Sequence, residues 1–195
     1  MSKGQQTKTA ILDQAVGIAS QVGFNALTIG QLAESTGMSK SGLFAHFKSK
    51  EALQLETLER GRERFTDLVI RPTLAAPRGI RRVRAMFDSW LVWEREALQG
   101  GCIFVTGSIE YDDQPGPMRD ALVRNQRDWA EFIATVAGTA VSEGDFRDDL
   151  DTEQFAFSLQ GVMYAYHHTT RLLRDPKALE HTRAALDRLL ADAQA

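Results

Sequence analysis

Three features of the 195-residue chain predict an all-α fold of about nine helices. Apolar residues recur at helical spacing almost throughout. Clean alternating segments of strand type are missing, and the five prolines fall between helical patterns. The expected order is an N-terminal three-helix helix-turn-helix unit, a linking helix, and a larger C-terminal helical body.

The first helix is expected from about Thr7 to Val22, because Ile11, Ala15, Ile18, Ala19 and Val22 mark one apolar face. Gly23 ends it where a left-handed residue commonly follows a helix. The second opens at Thr28, with Gln31 three residues on, as in a capping box. Ser39 is the expected N-cap of the third helix, and Ser49 that of the fourth, which runs towards Val69. Arg71-Pro72 and Ala76-Pro77 then break the pattern and put a hinge within 66–78. The domains are therefore 1–50, with a linking helix at about 50–70, and 71–195. A long amphipathic helix, about 78–98, carries Val83, Phe87, Trp90, Leu91 and Leu98, and Gly100-Gly101 closes it. Further helices follow at about 102–111, 117–143, 152–174 and 177–193, with DDQPGP and Asp175-Pro176 as the most marked breaks.

Hydrophobic residues make up 43% of the chain and charged residues 25%, values of a soluble globular protein. No apolar run approaches the roughly 20 residues that cross a bilayer, and MSKGQQTKTA has no hydrophobic signal segment. A single cysteine, Cys102, excludes an intramolecular disulfide framework and a multi-cysteine zinc site. A cytoplasmic protein without cofactor is expected. The net charge of −3 hides a split: residues 1–50 carry five lysines against Asp13 and Glu34, while the rest is acidic. A basic front on an acidic body suits a protein that offers one end to a polyanion.

The densest signal lies in TIGQLAESTGMSKSGLFAHFKSKEAL, Thr28 to Leu53. Counted from Ile29, Leu32 is fourth, Ala33 fifth, Gly37 ninth and Leu43 fifteenth. A small residue falls where two helices approach, a glycine at the sharp turn, and leucines where each helix faces the core. That spacing describes a helix-turn-helix whose second helix can enter a DNA major groove.

From Ile11 to Leu53 the chain resembles the TetR family of one-component bacterial transcription regulators. The resemblance rests on Gly23-Phe24, the Thr28-opened helix with Ala33-Glu34, the turn glycine, the His46-Phe47-Lys48 run and the following Ser49-Lys50-Glu51. It implies a homodimer that binds a near-palindromic operator with its N-terminal domains. The body would hold a pocket for a small-molecule effector, and the last two helices the dimer interface. Family members often carry a tyrosine at Phe44, whose hydroxyl meets the DNA backbone. Phenylalanine cannot make that bond, but its ring can touch sugar or a thymine methyl.

Lys40, Ser41, Gly42 and Phe44 are expected at DNA, with Lys40 and Ser41 at base edges and Gly42 allowing close approach. Thr28, Lys48 and Lys50 are candidates for phosphate, Thr28 and Lys50 because they open helices. Lys48 also reads as a solvated turn lysine, and His46 as either a backbone contact or a packing residue. In the body, Trp90, Phe104, Trp129 and Tyr164 are the preferred effector contacts, against ordinary core packing. His167-His168 point to different sides of a helix, so no metal is expected there. The acidic groups Glu110-Asp112-Asp113 and Asp145-Asp148-Asp149-Asp151 lack calcium-loop spacing and read as solvated surface.

The leading expectation is an effector-responsive transcription regulator, in this family most often a repressor released by a small, largely apolar ligand. Two alternatives stay open: a redox-responsive regulator switching through Cys102 at a helix N-terminus, and a helical binding protein without DNA binding. An enzyme is not expected, since the chain has no nucleophile elbow, phosphate-cradling loop or paired catalytic carboxylates.

Overall fold

The computed structural model describes residues 3–194, and among them it has nine helices and, outside these, one isolated bridge between Phe146 and Gln194. Helix α1 spans Lys3–Val22, α2 Ile29–Thr36 and α3 Lys40–His46. Helix α4 is continuous through an α-helical stretch Lys50–Phe65, a π-helical turn Thr66–Ile70 and a last turn Arg71–Ala75. Helix α5 runs Ile80–Val92 and closes in a second π-helical turn, Trp93–Ala97. Then come α6 (Ile103–Glu110), α7 (Pro117–Ser142), α8 (Thr152–Arg171) and α9 (Ala178–Ala193).

Packing divides the chain into two compact units. Unit one holds residues up to Thr66 together with Arg95–Asn125, and unit two holds Asp67–Glu94 with residues from Gln126 on. This grouping differs from the expected division at 1–50 and 71–195. Helix α6 joins the amino-terminal helices because two glycines leave room for apolar neighbours. A Cβ at Gly61 would overlap the Ile103 side chain, and one at Gly107 would stand 3.0 Å from the Phe24 ring.

In unit one, α1 packs on α2, α4 and α6, and α2 packs on α3. The face of α1 is centred on Ile11, Ala15, Val16 and Ala19, all buried, whereas Val22 is exposed and Ile18 only half-buried. Val22 shares the angular position of Ile11 but is the last residue of the helix, so its exposure reflects its place at the helix end and not a turned face. An Arg60–Asp13 pair with two hydrogen bonds, 2.9 and 3.1 Å, ties α4 to α1.

The expected break at Arg71-Pro72 is not there. Proline lacks an N–H and crowds the carbonyl four residues back. The π-helical turn just before it shifts the register, so Pro72 falls in the opening turn of the last α-helical segment, where no N–H is needed. The Thr73 hydroxyl donates to the Val69 carbonyl at 2.6 Å. The true stop is Ala76, which turns extended before Pro77.

Unit two is built on α8 packed against α9. Ion pairs Arg84–Asp187 (2.8 Å) and Arg183–Asp88 (3.2 Å) link α5 to α9. Two residues of the supposed solvated acidic surface cap helices instead. Asp145 accepts from the Ile80 N–H at 2.8 Å, and Asp151 from the Gln154 N–H at 2.9 Å. A helix start needs acceptors for its free amides, and carboxylates supply them.

Candidate nucleic-acid interface

Helix α3 is short, so its position comes from what holds it. Ser39 opens it, its hydroxyl accepting from the Gly42 N–H at 3.1 Å and lying 3.2 Å from the Ser41 hydroxyl. Leu43 and Phe47 are fully buried on one side. The Lys8 ammonium lies 5.5 Å over the Phe47 ring and pairs with Glu56 at 2.5 Å. Gly37, with φ +67°, makes the tight passage from α2 to α3.

With Leu43 and Phe47 inward, the opposite face of α3 points to solvent. Lys40, Ser41, Phe44 and Ala45 are all exposed, Phe44 at 54%. Gly42 is half-buried, its backbone turned to the Ser39 cap. A phenylalanine more than half exposed beside a lysine and a serine offers an apolar surface within a polar face. The Lys40 side chain runs back over the first turn of α2. A Cβ at Gly30 would stand 3.8 Å from its Cε, 3.9 Å from its Nζ and 3.7 Å from the Thr28 hydroxyl. Thr28 is the N-cap of α2 and accepts from the Gln31 N–H at 3.2 Å. Lysine ammonium, threonine hydroxyl and the amides of a helix start thus share one corner, a combination that suits an anion.

The remaining candidates divide. Lys48 is exposed on the turn between α3 and α4. The Lys50 ammonium donates to the Asn25 carbonyl at 2.6 Å, so it braces the turn before α2 as well as facing solvent. His46 is half-buried, its ring tilted 51° against Phe47, which is the packing arrangement open to it from the sequence.

The effector candidates fall into different surroundings. Trp90 is buried in unit two, edge-on to Tyr166 at 5.9 Å between ring centres. Trp129 is half-buried and stacks on Phe132 at 5.8 Å. Phe104 belongs to unit one, edge-on to Phe65 at 5.5 Å. Tyr164 is exposed on the outward face of α8, its hydroxyl donating to Gln126 at 3.3 Å. That face also carries Phe157, 74% exposed, and leads to Leu172, 71% exposed, just past the helix. Cys102 is the N-cap of α6 and is buried, which shields its thiol from oxidants.

Sequence reading missed one buried polar pair. The Glu94 carboxylate, with a side chain 1% exposed, lies 2.8 Å from His167 Nδ1. The two are 73 residues apart, Glu94 in the π-helical turn of α5 and His167 on α8, and no local pattern joins them. In a full helical stretch such as this, a glutamate reads as one more surface charge until a partner helix covers it.

Two family models match the chain. One, described as bacterial regulatory proteins, tetR family, covers residues 11–57, and one described as tetracyclin repressor-like, C-terminal domain, covers 79–186. The HTH-type transcriptional regulator UidR of Escherichia coli K12 is 27% identical over 168 residues, 84% of this chain and 81% of that protein. RutR of the same strain is 43% identical over 53 residues, 27% of this chain and 25% of its own length. Among solved structures, a TetR transcriptional regulator from Chloroflexus aurantiacus superposes with a TM-score of 0.86 at 26% identity, covering 98% of this chain and 96% of its own. AibR, solved in complex with isovaleryl coenzyme A and operator DNA, gives 0.70 at 19% identity, covering 96% and 97%, which is a likeness of fold.

Proposed function

The chain belongs to the TetR family of bacterial transcription regulators, and from that premise we propose how its own residues divide the work. It is a DNA-binding regulator and not an enzyme. Helix α3 reads an operator, with Lys40 and Ser41 at base edges and Phe44 against sugar or a thymine methyl. Thr28, Lys48 and Lys50 hold phosphates, Gly42 lets α3 approach, and His46 packs beside the backbone contact. The observation that carries this reading is the two-sidedness of α3: Leu43 and Phe47 are fully buried while Lys40, Ser41 and Phe44 are exposed.

Two copies act together. The dimer face is assigned to the last two helices, and the exposed apolar side chains Phe157, Tyr164, Leu172 and Leu173, on α8 and the turn after it, support the part that falls to α8. Two-fold symmetry then calls for a near-palindromic site with half-sites about 34–36 Å apart. Tyr164 fits this face better than an effector contact, because it is exposed among the same apolar residues. Trp90 and Trp129 remain the effector contacts of unit two, for a small and largely apolar ligand that releases the operator. Phe104 lies in unit one, where it packs edge-on against Phe65, and takes no part in the effector site proposed for unit two. Effector release requires unequal affinity for two states of the protein, typically about 1–3 kcal/mol of coupling. A regulator of bacterial genes works in the cytoplasm, and no helix among the described residues is long and apolar enough to cross a membrane.

Repeated selection of bound duplexes from random DNA tests the reading. It should yield a near-palindrome whose binding weakens steeply with salt. Failure to enrich any sequence, with the protein folded, would refute sequence-specific binding and leave the helical binding protein as the better reading.

A further inference from the structure

The turn between α1 and α2 is held from three sides, and one of its anchors comes from far along the chain. Glu110 ends α6, and its carboxylate accepts the Phe24 N–H at 2.7 Å across 86 residues of sequence. Gln54 on α4 donates to the Phe24 carbonyl at 2.6 Å, and Lys50 donates to the next carbonyl, Asn25, at 2.6 Å. The Phe24 ring is fully buried against Gly107. Gly23 has φ +82°, and a Cβ there would overlap the Glu110 carboxylate, so the glycine serves both the turn and the close approach. Tyr111, next after Glu110, is buried; burial pushes its phenol above the ordinary value, with the Glu110 charge adding to the effect and the Gln54 side chain opposing it.

This turn aims the recognition elements. Leu27 N–H bonds back to the Phe24 carbonyl at 3.1 Å, and Thr28, the N-cap of α2, follows directly. Helix α3 is positioned through α2. All of these residues lie in unit one.

We propose that Glu110 is a positioning residue for operator recognition: by gripping the Phe24 amide it fixes the direction in which α2 and α3 leave α1. It touches no DNA. A recognition helix must meet base edges within a fraction of an ångström, whereas phosphate attraction tolerates a tilted helix. Loss of the grip therefore lowers operator affinity and leaves affinity for random DNA intact. The assignment rests on the DNA-binding reading given above.

The test uses the full-length protein, the duplex selected by the wild type, and a random duplex of equal length. Anisotropy titrations compare wild type with Glu110→Ala, Glu110→Gln and Glu110→Asp, alongside thermal melting. Glu110→Ala should bind the selected duplex about tenfold more weakly, the order of one charge-assisted hydrogen bond. Its affinity for random DNA should not change. Glu110→Gln keeps an acceptor oxygen at the same reach and should recover most of the loss. Glu110→Asp keeps the charge but withdraws it by one methylene and should lose more discrimination than Glu110→Gln. Equal operator binding by wild type and Glu110→Ala overturns the proposal, as does an equal loss on both duplexes. If Glu110→Ala does not fold, the order of the other two decides, and Glu110→Asp matching or exceeding Glu110→Gln overturns it. If the wild type enriches no duplex, the DNA-binding reading falls and takes this assignment with it; if it does, only the assignment is at stake.

Discussion

Phe44→Tyr adds one oxygen to the recognition helix and should tighten binding to DNA. The ring is 54% exposed, on the face opposite the buried Leu43 and Phe47, so the new hydroxyl should extend towards solvent. Fold stability should stay unchanged. On DNA the hydroxyl can donate to a phosphate oxygen. It is hydrated beforehand, so the net gain is that of an ordinary exchange of hydrogen bonds, about 0.5–1.5 kcal/mol. A dimer presents the residue twice, which makes about 1–3 kcal/mol per operator, or roughly 5- to 150-fold in affinity. The hydroxyl neutralises no phosphate, so the slope of affinity against salt should not change. A phosphate carries no sequence information, so selected and random duplexes should gain alike. Anisotropy titrations of both variants on both duplexes, at two salt concentrations, supply every number needed. An unchanged or weaker affinity would refute the placement of the Phe44 ring beside the sugar-phosphate backbone. A gain confined to the selected duplex would instead put Phe44 at a base edge.

Other substitutions probe neighbouring parts of the same account. Lys40→Ala should cost about 1–3 kcal/mol per half-site and relax sequence choice; equal loss on selected and random DNA would make Lys40 a phosphate contact, in keeping with its place beside Thr28. Lys50→Ala should weaken all duplexes and lower the salt slope by about one per protomer, and a slope that stays put would leave it only its bond to Asn25. The double variant Phe157→Glu, Leu172→Glu should weaken dimerisation by about 100-fold or more, since each protomer loses two large apolar contacts; dimers persisting at micromolar concentration in sedimentation would move the interface elsewhere. Gly100→Ala should destabilise the protein by roughly 2–4 kcal/mol, because the added Cβ overlaps the Ser20 carbonyl and backbone cannot step aside. A denaturation midpoint equal to wild type would show that α1 and the α5–α6 turn are less tightly joined than this contact implies.

Local features were legible because they depend on neighbours within one helical turn. Thr28, Ser39, Ser49 and Asp151 cap helices with their side chains, and the first three were readable from the residue that follows three places on or the apolar run behind it. The sidedness of α3 was equally plain, since Leu43 and Phe47 are four residues apart and must share a face. Reading failed where a local signal met a compensating one. Pro72 announced a helix end, but a π-helical turn absorbed it. Asp145 looked like solvated charge, but it caps a helix that starts 65 residues earlier.

The order of the residues thus determined nine helices, the capped starts at Thr28, Ser39 and Ser49, and a helix-turn-helix with one free face, because capping, turn glycines and helical period act over a few residues; the first helix, expected from about Thr7, begins at Lys3. Which helix faces meet was left to the tertiary structure. Only packing could bring Glu110 to the Phe24 amide, seat Glu94 on His167, and gather α6 with the amino-terminal helices. Each of these depends on side chains matched across scores of residues, where burial and shape complementarity choose the partner and no repeat in the sequence records the choice.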